Sequence, residues 1–151
     1  MVDPAKAIQD WIFSFLKSRD AFFRKIATID SKEDGIHIRY KDGKEQKAIA
    51  LPDFSRAQEI LRGVREDQPF MIVALNNRKN REALASLWRF FASFKGLTLY
   101  FINPYSAQEK KWVIMPHVHN KVCDQSSLMQ GFASLSELVD DISEEQLAAR
   151  N

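Results

Sequence analysis

The fold is decided by the stretch Phe70–Leu75, FMIVAL, which lies between Pro69 and the polar pair Asn76-Asn77. An apolar run without alternation is typical of a strand covered on both faces, because a half-solvated strand alternates apolar and polar side chains. A second run of this kind, Leu97–Ile102 (LTLYFI), follows a helical segment. Two buried strands joined by a helix predict a βαβ unit, whose crossover is right-handed in nearly all cases.

Upstream of this unit, the sequence predicts a helix followed by three strands. Asp3-Pro4 is a typical helix start, and apolar residues then recur at helical spacing. We expect this helix to run to Arg19 or Phe23. Asp-Gly in a tight turn favours a hairpin between the second and third strands. The predicted strands are Lys25 to Asp30, Ile36 to Tyr40 and Glu45 to Leu51.

Between the third strand and the first buried strand, the pattern predicts a short helix to Gly63, and after the first buried strand it predicts a helix of about 18 residues. A strand from Lys111 to Met115 or beyond and a last helix from Ser127 to Asp141 complete the order. The polar end, residues 143–151, is expected to fray. The element order α-β-β-β-α-β-α-β-β-α predicts an α/β fold, in which residues 1–151 form one domain with a single mixed sheet flanked by helices.

The composition is that of an ordinary globular protein. With 45% hydrophobic and 28% charged residues, the chain is too apolar for a disordered protein and too charged for a membrane protein. A net charge of +2 argues against a protein whose whole surface coats DNA. Cys123 is the only cysteine, which fits a reducing compartment. Because we find no secretory signal or membrane-spanning run, we expect a cytoplasmic protein with no membrane partner.

Polar side chains follow both buried strands at the point where each strand ends. The carboxyl ends of parallel strands share the sheet edge at which open α/β sheets bind ligands, and a helix N-terminus there favours anions. We therefore expect a phosphate or nucleic-acid contact, or alternatively a solvated loop with an Asn helix cap. No glycine-rich nucleotide fingerprint is present. The candidate ligand-binding residues are Asn76, Asn77, Arg78, Arg81, Asn103 and Tyr105.

A second candidate site lies in the segment from Pro116 to Asp124. On a strand, His117 and His119 would point to one face, close enough to hold one metal ion. Cys123 or Asp124 would supply a third ligand if the chain turned. The alternatives are an exposed strand end with a polar face, a nucleophilic Cys123, or a half-buried thiol without chemistry. No second cluster of ligands is found elsewhere in the sequence.

Asp34 stands at the start of the second predicted strand, and Glu45-Gln46-Lys47 opens the third. In its order of elements, the first half of the chain resembles the core of the restriction-endonuclease-like, or PD-(D/E)XK, nucleases. The resemblance implies an acid on the second strand that faces a Glu-x-Lys on the third. In that arrangement the acids bind a metal ion and the lysine helps to activate water.

The hairpin register departs from this arrangement. If the hairpin turns at Asp42-Gly43, Glu45 lies opposite Tyr40, and Asp34 lies opposite residues 50–52. Asp34 and Glu45 are then about 17–20 Å apart at the rise of a strand. The sequence therefore predicts that no lysine meets Asp34, that Glu45 and Lys47 are surface charges, and that any nuclease-like site is degenerate.

Aromatic residues between Trp88 and Phe94 form a wide apolar helix face. Such a face indicates burial on two sides or a partner subunit, so self-association is predicted. Because the sequence offers no complete set of catalytic residues, the leading hypothesis is a non-enzymatic binding or interaction module. One alternative is a nuclease-like or nucleic-acid-binding domain with a degenerate active site. The other is a metal-dependent enzyme that uses His117 and His119.

Overall fold

A six-stranded mixed sheet organises the computed structural model, which describes residues 2–150. Its strands are β1 (Ile26–Lys32), β2 (Gly35–Tyr40), β3 (Glu45–Ala50), β4 (Phe70–Leu75), β5 (Leu97–Ile102) and β6 (Lys111–Ile114). The helices are α1 (Pro4–Phe23), α2 (Ala57–Leu61), α3 (Arg78–Ser86), α4 (Trp88–Ala92), α5 (Pro116–Val122), α6 (Gln125–Glu137) and α7 (Glu144–Ala148). A 3-10 turn, Phe54–Arg56, precedes α2.

The strands lie in chain order across the sheet. β1, β2 and β3 form an antiparallel meander, β3, β4 and β5 run parallel, and β6 is antiparallel to β5. The predicted α/β fold with a single mixed sheet flanked by helices is confirmed. No helix within residues 2–150 combines the length and apolarity that crossing a membrane requires.

The first face of the sheet is covered by α1, which buries Ile8, Ile12 and Leu16 against the strands. The end of the chain adds to the same layer. Where we expected fraying after residue 143, α7 begins with a capping box on Ser143 and buries Leu147. A reciprocal cap satisfies two amides that would otherwise lack partners at the helix start, and this stabilises so short a helix.

The second face is covered by α2, α3, α4 and α6 over the parallel half of the sheet. Its core is rich in aromatic rings, and Phe101 stacks on Trp112 with ring centroids 4.2 Å apart. Trp88, Phe91 and Phe94 are buried in this core. Most of the wide aromatic face seen in the sequence is therefore explained by packing within the chain. The predicted helix of about 18 residues is divided at Leu87 into α3 and α4.

The segment after β6 is a helix, whereas the sequence predicted a continuing strand. β6 ends at Ile114, and Pro116 occupies the first turn of α5. Proline is well suited to this position because its fixed φ matches a helix and its missing amide hydrogen would have no partner there. The last long helix starts at Gln125 and ends at Glu137, a few residues earlier at each end than predicted.

Candidate functional site

The six strand-end residues lie together at the carboxyl edge of β4 and β5, and the C-terminal segment covers this edge. Asn76 is fully buried, and its amide nitrogen donates to the carbonyl oxygens of Val139 (2.8 Å) and Ser136 (3.2 Å) and to Asp141 (3.3 Å). Its side-chain oxygen accepts the indole hydrogen bond of Trp112 at 2.8 Å. The Asn76 side chain thus ties the segment between α6 and α7 to the sheet.

Asn77 and Asn103 act in the same way. The Asn77 side-chain oxygen caps α3, and its nitrogen donates to the carbonyl oxygen of Ile142 at 3.0 Å. Asn103 donates to the carbonyl oxygen of Asp140 at 2.9 Å and accepts from the backbone amide of Tyr105 at 2.9 Å. These contacts fit the interpretation of a capped loop, here closed over by the chain's own C-terminal segment.

The arginines and the tyrosine at this edge contact other side chains. The Arg81 guanidinium donates two hydrogen bonds to the Asp141 carboxylate, of 2.8 and 3.2 Å. Arg78 is exposed and pairs with Glu82 one turn further along α3. The exposed ring of Tyr105 lies 4.5 Å from the Arg150 guanidinium carbon. Ligand binding at this edge stays a prediction, and it would compete with these contacts.

Asn80 is a structural residue that the sequence analysis missed. Its side chain is buried and donates to the carbonyl oxygens of Pro52 and Leu75, both at 2.8 Å. It also accepts the backbone amide of Phe54 at 3.3 Å. The preceding Asn-Asn pair gives a sequence signal for a helix cap, but nothing in the sequence reveals partners 26 residues away.

The histidine segment forms a different geometry from the one expected. In the helix α5, residues two apart point about 200° apart around the axis, whereas on a strand they would share a face. His117 Nδ1 lies 2.9 Å from the carbonyl oxygen of Ala92, and His119 Nδ1 lies 2.9 Å from that of Met115. Among the described residues, no three His, Cys, Asp or Glu side chains come together as a metal site would require.

Asp124 caps α6, and Cys123, next to it, is half-buried. The Asp124 carboxylate accepts the backbone amide of Ser127 at 2.8 Å, and this hydrogen bond lowers the pKa of Asp124. The carboxylate is thus used at a helix start, where a negative charge is favourable. Metal binding by this segment stays a prediction.

α1 covers one face of the meander, and the other face is polar. Side chains alternate along each strand, so Ile36, Ile38 and Ala48 meet α1 while their neighbours point away. Strand pairing arranges those neighbours in two rows across β1, β2 and β3. The rows are Thr28–Arg39–Glu45 and Asp30–His37–Lys47.

A groove of about 760 Å³ lies over these rows. The loop before β4 forms its wall, and Gly96 sets the position of that loop, since a Cβ at Gly96 would lie 2.2 Å from the carbonyl oxygen of Gln68. The groove is more basic than the chain as a whole, which carries a net charge of +2. Its charged lining residues are Lys32, Arg39, Lys44, Lys47 and Arg65, with the acids Asp30 and Glu45.

Asp34, at the rim of this groove, contacts two cationic or ionisable side chains. Its carboxylate lies 2.9 Å from His37 Nε2 and 3.1 Å from Lys47 Nζ. The hydrogen bonds from His37 and then Lys47 lower the pKa of Asp34 from 3.8 to about 2. The expectation that no lysine meets Asp34 was therefore wrong.

Glu45 lies in the other row. It pairs across the hairpin with Arg39 rather than with Tyr40, and their side chains form an ion pair of 2.9 Å. The two acids of the nuclease-like motif thus have different partners. This arrangement agrees with the interpretation of Glu45 as a hairpin surface charge.

The alternation of side chains in the hairpin is a sequence signal for the groove. His37 and Arg39 alternate with buried isoleucines, as Glu45 and Lys47 do with Gln46 and Ala48, so one face of the hairpin is charged. Whether a helix covers that face cannot be read from the alternation. Comparisons with known proteins add no guide, since no family model, curated protein or solved structure matches the chain.

Proposed function

We propose that this chain is a non-enzymatic nucleic-acid-binding module that contacts the phosphate backbone through the groove over the meander. The observation that carries the proposal is the charge of the groove, whose lining has five basic and two acidic side chains, with one further carboxylate, Asp34, at the rim. Phosphate contacts by Lys and Arg supply most of the sequence-independent affinity of such proteins. A local basic patch meets this requirement although the whole chain is nearly neutral.

The ion pairs within the groove are weak enough for phosphate to replace them. The side chains of Arg39 and Glu45 are 62% and 67% exposed, and exposed pairs contribute only about 0–1 kcal/mol. Arg39 can form two parallel hydrogen bonds with a phosphate, as it can with a carboxylate. Lys32 and Lys44 take part in no ion pair within residues 2–150, so they can bind phosphate without losing one.

The groove is less suited to a small apolar ligand. Pockets for such ligands are lined mainly by hydrophobic and aromatic side chains with a few polar groups. Here most of the lining residues carry charged or amide side chains, and the others are Thr28, His37, Ile38, Gly43 and Pro69. A polyanion is the partner that this lining favours.

Fluorescence anisotropy over a salt series tests the proposal. The groove variant Arg39→Ala/Lys47→Ala is compared with Lys6→Ala/Arg89→Ala, which removes the same two kinds of charge on α1 and α4. We expect wild-type affinity for a labelled oligonucleotide to fall linearly in log–log form with salt, and the slope to drop by about 1 for each phosphate contact removed. Salt-independent binding, no binding, or equal losses in both variants would refute the proposal.

A nuclease-like activity is the second candidate function, and the contact between Asp34 and Lys47 favours it. The resemblance in element order implies an acid and a lysine at one site. Plasmid cleavage in Mg²⁺ or Mn²⁺, lost in both Asp34→Asn and Lys47→Met, would support it. Cleavage that persists in these variants would point to a contaminant.

Four further expectations from the sequence remain proposals. Self-association is tested by light scattering, where a strict monomer at high concentration excludes it. The hypothesis of a metal-dependent enzyme requires that His117 and His119 bind a metal ion. Equilibrium dialysis with zinc tests this, and zinc binding should be lost in His117→Ala. Anion binding through Arg78 and Arg81 is tested in the same salt series. A cytoplasmic location, with which the single cysteine agrees, is tested by localisation of a tagged chain.

A further inference from the structure

Two phenylalanine side chains project from the end of α1. Phe22 is 88% exposed and Phe23 is 59% exposed, and their rings pack edge to face with centroids 6.1 Å apart. Arg24 and Lys25 follow directly, so that two aromatic and two basic residues form one corner between α1 and β1. We call Phe22–Lys25 the aromatic corner.

The aromatic corner is held in a defined conformation. Arg24 has φ 54° and ψ 42°, the left-handed region that residues with a Cβ seldom adopt. Its amide donates to the carbonyl oxygen of Asp20 at 2.7 Å. The Asp20 carboxylate accepts the next two amides, of Lys25 at 2.7 Å and Ile26 at 2.9 Å. The chain therefore turns sharply after α1 and leaves both phenylalanines outside the core.

A pocket of about 240 Å³ opens beside the aromatic corner. Phe23 and Tyr40 supply ring surfaces, Arg19 and Lys25 supply positive charge, and Asp20 supplies a carboxylate. A flat ring with hydrogen-bonding edges and an adjoining phosphate matches this lining, because aromatic side chains stack on bases while Arg and Lys bind the backbone.

The pocket lies on the face of the sheet that α1 covers, where Ile26 and Tyr40 pack against the α1 core, and the groove lies on the opposite face. The two adjoin at the β2–β3 hairpin. Tyr40, at the end of β2, lines the pocket, whereas Gly43 and Lys44, on the return of the same hairpin, line the groove. The backbone amide of Lys41 donates to the carbonyl oxygen of Lys25 at 2.8 Å, which joins the hairpin to the aromatic corner. A strand whose phosphates lie in the groove therefore reaches the pocket by passing around the hairpin turn, which carries Lys41 and Lys44.

We propose that the pocket receives an unpaired base of the nucleic acid whose backbone lies in the groove, so that the ligand is single-stranded. This inference rests on the proposed function. In a duplex, the bases are paired and stacked, and they reach such a pocket only after costly unstacking. In a single strand, every base has a free face for stacking, which makes this mode of binding tolerant of sequence.

The other occupant that an exposed aromatic pair with basic neighbours suggests is an anionic membrane surface. The pocket favours a base, because its lining sets the Asp20 carboxylate beside the rings of Phe23 and Tyr40, and a carboxylate can accept hydrogen bonds from a base edge but finds no donor among acyl chains. Vesicles containing phosphatidylserine nevertheless form one arm of the test.

The experiment compares a labelled oligothymidine of 20 nucleotides with a mixed-sequence duplex of 20 base pairs. The variant is Phe22→Ala/Phe23→Ala, and the control is Val122→Ala/Leu138→Ala, which removes exposed apolar side chains elsewhere. We expect the variant to bind the single strand about tenfold or more weakly, with duplex affinity and the control unchanged. The groove variant Arg39→Ala/Lys47→Ala should weaken both ligands. Unaltered melting temperatures show that each variant is folded.

Each result has one meaning. If the aromatic variant binds the single strand as wild type does while the groove variant loses affinity, the pocket proposal is overturned and the groove proposal stands. If wild type binds neither ligand, both proposals fall. If the phenylalanines affect only the binding of phosphatidylserine vesicles, the aromatic corner is a membrane contact and the base-binding proposal is wrong.

Discussion

Replacing Asn76 by alanine should cost this protein several kcal/mol of stability without touching the groove. The Asn76 side chain is fully buried and joins Trp112 on β6 to the carbonyl oxygens of Val139 and Ser136. Asn76→Ala leaves one indole donor and two carbonyl acceptors without this partner. Trp112 is 4% and Val139 2% exposed, so water cannot easily replace the lost contacts.

The size of the effect follows from the groups left unpaired. A buried donor or acceptor without a partner costs about 1–3 kcal/mol, and a carbonyl oxygen less than an N–H because it has two lone pairs. The sum for Asn76→Ala is about 3–5 kcal/mol. For a chain of this length, that loss lowers the melting temperature by about 8–15 °C.

Urea unfolding followed by tryptophan fluorescence measures this loss directly, with the slope m as a check that the unfolded state is unchanged. Gln108→Ala, at an exposed amide between β5 and β6, serves as the control and should change stability by less than about 0.5 kcal/mol. A loss below about 1 kcal/mol for Asn76→Ala would show that the amide network does not hold the C-terminal segment.

Three further perturbations test the same picture. Gly35 has φ +132°, and a Cβ there would lie 2.6 Å from the carbonyl oxygen of Ala48, whereas a Cβ at Gly43 (φ +92°) would meet open space. In thermal melts, Gly35→Ala should therefore destabilise the protein by about 2 kcal/mol more than Gly43→Ala. Arg81→Ala should cost about 1 kcal/mol through its paired contact with Asp141, and Arg78→Ala less than about 0.5; equal values would contradict this. The pKa of Asp34 is lowered from 3.8 to about 2, so its stabilising contribution is complete above pH 3.8 and is lost as the pH falls towards 2. The difference in melting temperature between wild type and Asp34→Asn should therefore shrink from pH 6 to pH 2, and a growing difference would exclude the assignment.

The sequence was sufficient to predict a single mixed sheet, although not its strand order, because the signals for the strands are local. The apolar runs of β4 and β5 and the helical stretch between them require a parallel crossover, whatever the rest of the chain does. The hairpin turn was also correct in place but not in register. The backbone amide of Tyr40 donates to the carbonyl oxygen of Lys44 at 2.8 Å, so the loop has three residues rather than the four of the predicted register. Its last residue is Gly43, which has positive φ.

That single-residue difference changed the chemistry of the meander. The predicted register pairs Lys47 with Ile38, which does not agree with our own prediction of Lys47 as a surface charge. In the structure it lies opposite His37, which brings its amine to Asp34 on the open face. Register errors of one residue reverse the two faces of a strand, so a site on a sheet face cannot be assigned from a sequence until the loop type is known.

The role of the strand-end amides was beyond the reach of the sequence for a different reason. Asn76 finds its partners 60 and 63 residues further along the chain. No periodicity or turn signal carries that information, because it depends on where α6 ends and how the segment after it returns to the sheet. An asparagine that binds a ligand and one that holds a loop cannot be distinguished in the sequence.

The two candidate surfaces make opposite predictions about folding and binding. A ligand at the carboxyl edge must displace the segment that Asn76, Asn77 and Asn103 hold, so its affinity should rise when Asn76→Ala loosens that segment. A ligand in the groove meets side chains that are already exposed, so Asn76→Ala should lower stability and leave affinity unchanged in the folded protein. For the same ligand, Arg39→Ala/Lys47→Ala should lower affinity and leave stability unchanged. Measuring both quantities on both variants therefore decides which surface of the sheet this chain uses.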